Sequence, residues 1–195
     1  MNYTQLREHD DTPQAPGRLD VLQRFLNLHD HVPGVNEDRP PPLEMVRDCL
    51  VDQGLLRSDA PYRPADHARV VELYDAVHAR LRSVEAGETT DASSGRIEEL
   101  ARSASFRLRF GDEPGLEPAS EGVDGAIGRL LAILFLAQLD GTWSHMKECA
   151  SPTCHSVFYD RSKNRSGKWC SMQSCGNQHK VRAWRERHRA DAVDA

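Results

Sequence analysis

The feature that most constrains this 195-residue chain is a group of four cysteines near its C-terminal end. Cys149 and Cys154 form one C-x4-C pair, fifteen residues follow, and Cys170 and Cys175 form a second C-x4-C pair. Two thiol pairs on tight turns can supply the four soft ligands of a tetrahedral Zn²⁺ ion, so the spacing favours a closed zinc site. Two disulfides and four unconnected thiols are the alternatives that the spacing leaves open.

The N-terminal sequence bears on that choice. Residues 1–17 lack the basic segment and the apolar run of a secretory signal. Disulfide frameworks are typical of small secreted chains, whereas cytoplasmic thiols stay reduced. We therefore expect a cytoplasmic protein whose clustered cysteines bind metal. His145, His155 and His179 are interpreted as neighbours of the site, with His155 a candidate for supporting a ligand by a hydrogen bond.

The residues around the cysteines resemble a known family. Residues 147–189 are similar to the CGNR zinc finger of bacterial proteins: they contain both cysteine pairs, Trp169 before the third cysteine, and Cys175-Gly176-Asn177 followed by a basic segment. The resemblance implies that the four cysteines are the zinc ligands, and that the chain is a stress-induced transcription regulator with an N-terminal helical domain of ABATE type. Gln178 stands where the family signature has arginine, which removes a permanent charge and a bidentate donor.

The charge of the chain is unevenly distributed. The net charge is −5, but residues 141–195 hold ten Lys/Arg and five Asp/Glu, a net charge of +5, which leaves −10 on residues 1–140. A basic C-terminal part on an acidic body is typical of a nucleic-acid contact confined to that part.

Apolar periodicity predicts a mainly α protein. We predict amphipathic helices over residues 18–31, 43–53, 64–86 and 96–104, a short β-hairpin over 106–119, and a central apolar helix over 125–139. The alternation of apolar and basic residues over 106–110 predicts that the first strand of the hairpin is half-buried. The central helix contains Arg129 and is too short to span a membrane. Where this helix stays exposed, we expect it to form a homodimer interface.

These elements predict four parts of the chain. Residues 1–17 form a mobile leader, 18–140 a helical sensor or dimerisation domain, 141–190 a four-cysteine zinc finger, and 191–195 a tail. The finger is expected to be treble-clef-like or ribbon-like and to end in a basic helix. We expect Val181, Trp184 and His188 to dock that helix on the zinc module and leave a basic ridge exposed.

The resulting hypothesis is a zinc-dependent DNA-binding transcriptional regulator whose helical body senses a small molecule or a protein effector. RNA binding and a zinc-stabilised protein-interaction module are the alternatives. An enzyme is not expected, because four thiolates fill the coordination sphere of zinc and no common catalytic motif is present. The candidate nucleic-acid contacts are Lys163, Arg165, Lys168, Lys180, Arg182, Arg185, Arg187 and Arg189.

Overall fold

The computed structural model describes residues 3, 12–28, 40–88, 91–112, 114–152 and 154–193, and in that part of the chain it confirms a mainly α fold. Six α-helices and two β-hairpins are present in these residues. Their bounds are α1 Leu19–Leu26, α2 Leu43–Asp52, α3 Pro64–Glu85, α4 Asp91–Ala101, β1 Phe106–Arg109, β2 Gly115–Pro118, α5 Gly122–Leu139, β3 Met146–Glu148, β4 Val157–Tyr159 and α6 Asn177–Val193.

Helix ends follow local signals in the sequence. The helix α3 begins at Pro64, and the backbone amide of Arg63 donates to the Asp66 carboxylate at 2.9 Å, which caps the first turn. Gly87, with φ of 69°, follows its last turn. The helix α4 covers residues 91–101 instead of 96–104, because the polar residues before Ile97 form its first turns rather than a loop. The predicted end of the first helix at Pro33-Gly34 lies outside the described residues.

The core of the body lies between α1, α2, α3 and α5. Phe25 of α1 is fully buried and meets Tyr74 of α3 edge to face, with ring centroids 5.8 Å apart. By length and composition α5 could cross a membrane, but 61% of its residues are buried inside the fold. It is the central core helix that the sequence predicts. The hairpin of β1 and β2 packs closely on it, since a Cβ added at Gly128 would lie 2.9 Å from Pro118 Cβ.

The β1–β2 hairpin forms as predicted, with Phe106 opposite Pro118 and Leu108 opposite Leu116. The predicted burial of β1 is wrong at the C-terminal end of this strand. Phe106 packs against the core, but Leu108 is 69% exposed and Phe110 is 83% exposed, because no described element covers this end of the strand.

The β3–β4 hairpin shares its core with the helical body. Met146 and Val157 belong to the same buried cluster as the side chains of α1, α3 and α5. Asn27, the residue after α1, bonds both backbone groups of Val157: its Oδ1 accepts from the amide at 2.7 Å, and its Nδ2 donates to the carbonyl at 2.9 Å. Gln23 adds a second donor to that carbonyl at 3.1 Å. The Asn27 side chain therefore satisfies backbone groups of β4 that a neighbouring strand would otherwise pair with.

The segment before α1 also contacts this hairpin. The backbone amide of Tyr159 donates to Pro13 O at 3.1 Å, and Arg161 donates to Gln14 O at 2.9 Å. Ala15 is buried, and its amide donates to Gln23 Oε1 at 2.6 Å. Residues 12–17 are thus bonded to the body and to β4. The predicted division of the chain at residues 140 and 141 stays a prediction.

Candidate metal centre

The four predicted cysteines meet in space. Their Sγ atoms all lie within 4.8 Å of one another. Cys170 Sγ lies 3.6 Å from Cys154 Sγ and 3.8 Å from Cys175 Sγ. In a tetrahedral site with Zn–S bonds of about 2.3 Å, neighbouring sulfurs are about 3.8 Å apart. The thiols are therefore spaced as zinc requires.

The first pair of thiols comes from the turn of the β3–β4 hairpin. Cys149 follows β3, and Cys154 lies shortly before β4. The turn is held by backbone bonds from Cys149 N to Ser156 O at 2.8 Å and from Cys154 N to Ser151 O at 3.1 Å. These bonds hold the turn that carries both thiols.

The second pair comes from the start of a helix. The Ala150 amide donates to Lys168 O at 2.8 Å, which brings the segment before Cys170 alongside the first knuckle. Cys175 lies in a π-helical turn, Met172–Gly176, that continues into α6, and Ser171 Oγ accepts hydrogen bonds from the amides of this turn. With one pair in a hairpin and the other at a helix start, the finger is treble-clef-like rather than ribbon-like.

Polar neighbours support the sulfurs. Ser156 Oγ lies 3.0 Å from Cys154 Sγ, and the Cys170 amide points at Cys149 Sγ from 3.5 Å. Donors to sulfur favour the thiolate that a metal binds. Ser156, which sequence reasoning did not select, therefore does what was expected of His155.

The three histidines near the site are neighbours, as predicted, and among the described residues the metal-binding cluster contains only cysteines. The Nδ1 atom of His155 lies 2.8 Å from Glu148 Oε1. His179 packs its ring over Trp169 at 4.5 Å, and His145 Nδ1 lies 2.9 Å from Asp160 O. Trp169 also packs, partly buried, against the small cluster of Cys149, Phe158 and Cys170, so it belongs to the core of the finger.

The electrostatics of the four-thiol cluster favour a bound cation. The contact with the Cys154 thiol, together with burial, raises the pKa of Cys149 to about 12. Contacts with Cys149 and Cys154, together with burial, likewise raise the pKa of Cys170 far above its ordinary value. Four adjacent thiols cannot all ionise without a compensating charge, whereas a divalent ion binds them as thiolates and displaces their protons. The donor set, spacing and burial fit Zn²⁺.

A buried carboxylate connects this site to the helical body. Glu148, the residue before Cys149, is 5% exposed. Its carboxylate lies 3.1 Å from His78 Nδ1, 2.8 Å from His155 Nδ1 and 3.2 Å from Arg82. Burial acts to raise the pKa of Glu148, but the hydrogen bond and charge of His78, the hydrogen bond of His155 and the charge of Arg82 lower it to about 2. We call this set the Glu148 cluster.

Sequence reasoning missed the Glu148 cluster. His78 is buried, and its second ring nitrogen lies 2.9 Å from Leu26 O, so it joins α1, α3 and β3. Its position one helical turn after Tyr74, on the apolar face of α3, was the only signal of its burial.

A second buried carboxylate organises the loop between the thiol pairs. Asp160 is 4% exposed, accepts from Lys147 Nζ at 2.8 Å, and accepts from the amides of Ser162 and Gly167 at 2.9 and 2.8 Å. Burial acts to raise the pKa of Asp160, but the Lys147 contact and the loop hydrogen bonds hold it well below its usual range. Lys147 also donates to the backbone oxygens of Arg165 and Gly167.

The predicted nucleic-acid contacts fall into two segments. Lys163 and Lys168 are exposed on the loop between the thiol pairs, where Arg165 is also exposed but donates to Ser144 Oγ at 2.9 Å. The second segment is α6, on which Lys180, Arg182 and Arg185 are exposed. Arg187 and Arg189 belong to the same helix by their backbone, and their side chains lie outside the described part of the structure.

One expectation for α6 is wrong. Val181 is 47% exposed and Trp184 is 53% exposed, so this face of the helix does not dock on the zinc module. The helix joins the module at its first turn, through the contact of His179 with Trp169, and Val181 and Trp184 face outward. Trp184 instead packs on His188 of the same helix, with ring centroids 4.1 Å apart.

A hairpin knuckle, a helix start and four converging thiols define a zinc-binding module of the zinc-finger class. Residues 145–188 match the family model described as the CGNR zinc finger, and the four thiols that cluster within these residues fit Zn²⁺ as the metal. No curated protein matches the chain. The resemblance of the helical body to the ABATE type lies outside the matched residues and stays a prediction. Gln178 is exposed on α6 and is not one of the four ligands, so the departure from the signature leaves the metal site intact.

Proposed function

We propose that the chain is a zinc-dependent DNA-binding transcriptional regulator of the cytoplasm. The observation that carries the proposal is the exposure of Lys180, Arg182 and Arg185 on a helix that begins directly after the turn of the last metal ligand. Cationic side chains presented on a rigid element suit the DNA phosphate backbone. The net charge of +5 on residues 141–195 supports the same assignment.

In this proposal the metal has a structural role. Cys175 belongs to the turn that leads into α6, so a zinc ion on the four thiols fixes the start of the helix relative to the hairpin. Four thiolates leave zinc no open position for water or substrate, and the proposal accordingly assigns the chain no enzymatic activity.

The loop between the thiol pairs gives a second phosphate-binding edge. Lys163 and Lys168 are exposed on it, and the Asp160 and Lys147 bonds hold its backbone in place. Contacts that go mostly to phosphates give salt-sensitive binding with a non-specific Kd of roughly 10⁻⁴ to 10⁻⁶ M for one module. A homodimer would raise the affinity for a repeated site, and the exposed C-terminal end of α5, with Phe135 and Leu139, is its candidate interface.

The exposed apolar strip of α6 supports the alternative function. Val181 and Trp184 lie between the basic residues of the helix, and exposed tryptophan is enriched at protein interfaces. A zinc-stabilised module that binds a protein partner through this strip is the second candidate.

Fluorescence anisotropy of labelled duplex DNA, titrated with the zinc-loaded chain over a salt series, distinguishes the two. We expect the triple variant K180A/R182A/R185A to bind more weakly and to lower the slope of log K against log salt by about 1 for each phosphate that is no longer neutralised. The matched control R57A/R102A/R107A removes the same charge from exposed positions of the body and should leave the slope unchanged. No binding at low salt, or an equal loss of affinity in both variants, would overturn the proposal in favour of the protein-interaction module.

A further inference from the structure

A cavity of about 370 Å³ opens between the start of α1, the C-terminal half of α5 and the strand β2. Cavities that hold small molecules in proteins are usually about 300–1,000 Å³, so this one has the size of a ligand site. We call it the α1–α5 cavity. Its walls are mostly apolar and come from Leu19, Leu116, Ala132, Ile133, Leu136 and Ala137.

The charged groups of the lining are mainly positive. Arg129 is the one basic residue of α5, and its guanidinium is held in place by a 2.9 Å hydrogen bond to Leu55 O. Arg18 is exposed on the same lining. Among the described residues of that lining Asp140 is the one that is acidic, and its Oδ1 already accepts from the Thr142 amide and hydroxyl at 2.8 and 2.6 Å. Two arginines against one aspartate favour a negatively charged ligand over a positive one.

We propose that the α1–α5 cavity binds a small amphipathic monoanion. Its apolar part would lie against Ile133 and Leu136, and its carboxylate or similar group would lie near Arg18 and Arg129. Apolar walls with a few fixed polar groups are the usual composition of such sites. This inference rests on the proposed function, since it assigns a ligand class to the sensing role of the helical body.

The position of the cavity gives its occupant a route to the zinc finger. Asp140 and Thr142 line it, and Thr142 begins the 3₁₀ turn Thr142–His145 that runs directly into β3. The first metal ligand, Cys149, follows β3. A ligand in the cavity therefore contacts the segment that connects the body to the metal site.

The anionic fluorophore 1-anilinonaphthalene-8-sulfonate and its neutral analogue N-phenyl-1-naphthylamine test this proposal in the zinc-loaded chain, with no DNA present. We expect one saturable anion site per chain and weaker binding of the neutral probe. Arg18→Glu, at an exposed position, should weaken the binding of the anionic probe at least about fivefold and leave that of the neutral probe unchanged, because the substitution replaces a cation near the bound anion with a second negative charge. Ala132→Leu, which fills part of the cavity, should weaken the binding of both probes.

Phe110→Ser is the control for probe binding at exposed apolar surface, because Phe110 is 83% exposed and does not line the cavity. Circular dichroism verifies that each variant is folded. Equal binding of both probes, insensitivity to Arg18→Glu, or loss of binding in Phe110→Ser alone would overturn the proposal. A chain that binds the anionic probe as expected but no DNA would contradict only the proposed function.

Discussion

Gly167 lies against the Asp160 carboxylate, and this contact fixes the loop between the two thiol pairs. A Cβ at this position would be 2.9 Å from both Cγ and Oδ1 of Asp160. We expect Gly167→Ala to lower the free energy of unfolding by about 1–3 kcal/mol, because the loop must shift away from a carboxylate that holds Lys147 and two amides.

Urea unfolding at neutral pH measures this change, with Gly95→Ala as the matched control. Gly95 lies within α4, where an added Cβ meets no atom within 4 Å. Alanine there should be neutral or stabilise by up to about 1 kcal/mol. Equal effects of the two substitutions would show that the Asp160 contact is unimportant.

The thiols of the metal site determine how zinc affinity depends on pH. Contact with neighbouring thiols and burial raise the pKa of both Cys149 and Cys170 above the ordinary thiol value, so both are protonated near neutral pH when no metal is bound. Zinc must displace these protons, and each proton released makes the apparent affinity rise about tenfold per pH unit. We therefore expect affinity to rise steeply between about pH 6 and 8, by up to about four decades per unit. Competition with a chelator of known pH dependence measures it, and a flat profile would contradict a four-thiol site.

At the residue scale, the sequence predicts the metal ligands because their chemistry is local. Two thiols five positions apart lie on one turn, so the spacing of the cysteines alone predicts the knuckle. The Glu148 cluster could not be predicted in this way. Glu148 and His78 are 70 positions apart, and neither residue type indicates burial without the fold that joins them.

At the scale of elements, the Glu148 cluster connects the hairpin that carries the first thiol pair to the long helix α3. We expect Glu148→Gln to destabilise the chain by about 3–5 kcal/mol at neutral pH, because it leaves the buried His78 and the nearby Arg82 without their anion. Glu117→Gln is the control, since Glu117 pairs with Arg109 at an exposed position and should contribute less than about 1 kcal/mol.

Urea denaturation of the zinc-loaded variants compares the two substitutions. A destabilisation in Glu148→Gln no larger than in Glu117→Gln would show that the Glu148 cluster does not hold the hairpin on α3.

The bounds of the helices were predicted more accurately than the burial of their apolar faces. The bounds of α2, α3 and α5 follow from proline, glycine and apolar period, all of which are local. Apolar period shows that a face is apolar but not what covers it, so the exposure of Val181 and Trp184 on α6 and of Phe110 after β1 was missed. The sharing of one core between the finger hairpin and the body depends on contacts such as Asn27 with Val157, 130 positions apart.

At the scale of the whole molecule, that shared core makes the body sensitive to the metal. Met146 and Val157 are buried with the side chains of α1 and α3, so loosening the thiol knuckle between β3 and β4 weakens the packing of both parts. We expect zinc removal by a chelator to lower the midpoint of thermal unfolding of the body helices as well as of the finger, since a ligand that binds only the folded chain stabilises all that unfolds with it.

Far-UV circular dichroism follows the helices during this experiment, and the fluorescence of Trp169, in a variant with Trp143→Phe and Trp184→Phe, follows the finger. A helical transition that keeps its midpoint after complete zinc removal would show that the body folds independently of the metal. Restoration of both midpoints by added zinc serves as the control for irreversible damage.

X-ray absorption at the zinc edge tests whether one Zn²⁺ ion binds Cys149, Cys154, Cys170 and Cys175. The expected result for the zinc-loaded chain is four sulfur neighbours at about 2.3 Å with no nitrogen or oxygen neighbour. The spectrum should be unchanged in Cys49→Ala, because Cys49 is buried in α2 and does not belong to the thiol cluster. Fewer than four sulfurs, or a nitrogen neighbour from one of the adjacent histidines, would contradict binding by these four thiols.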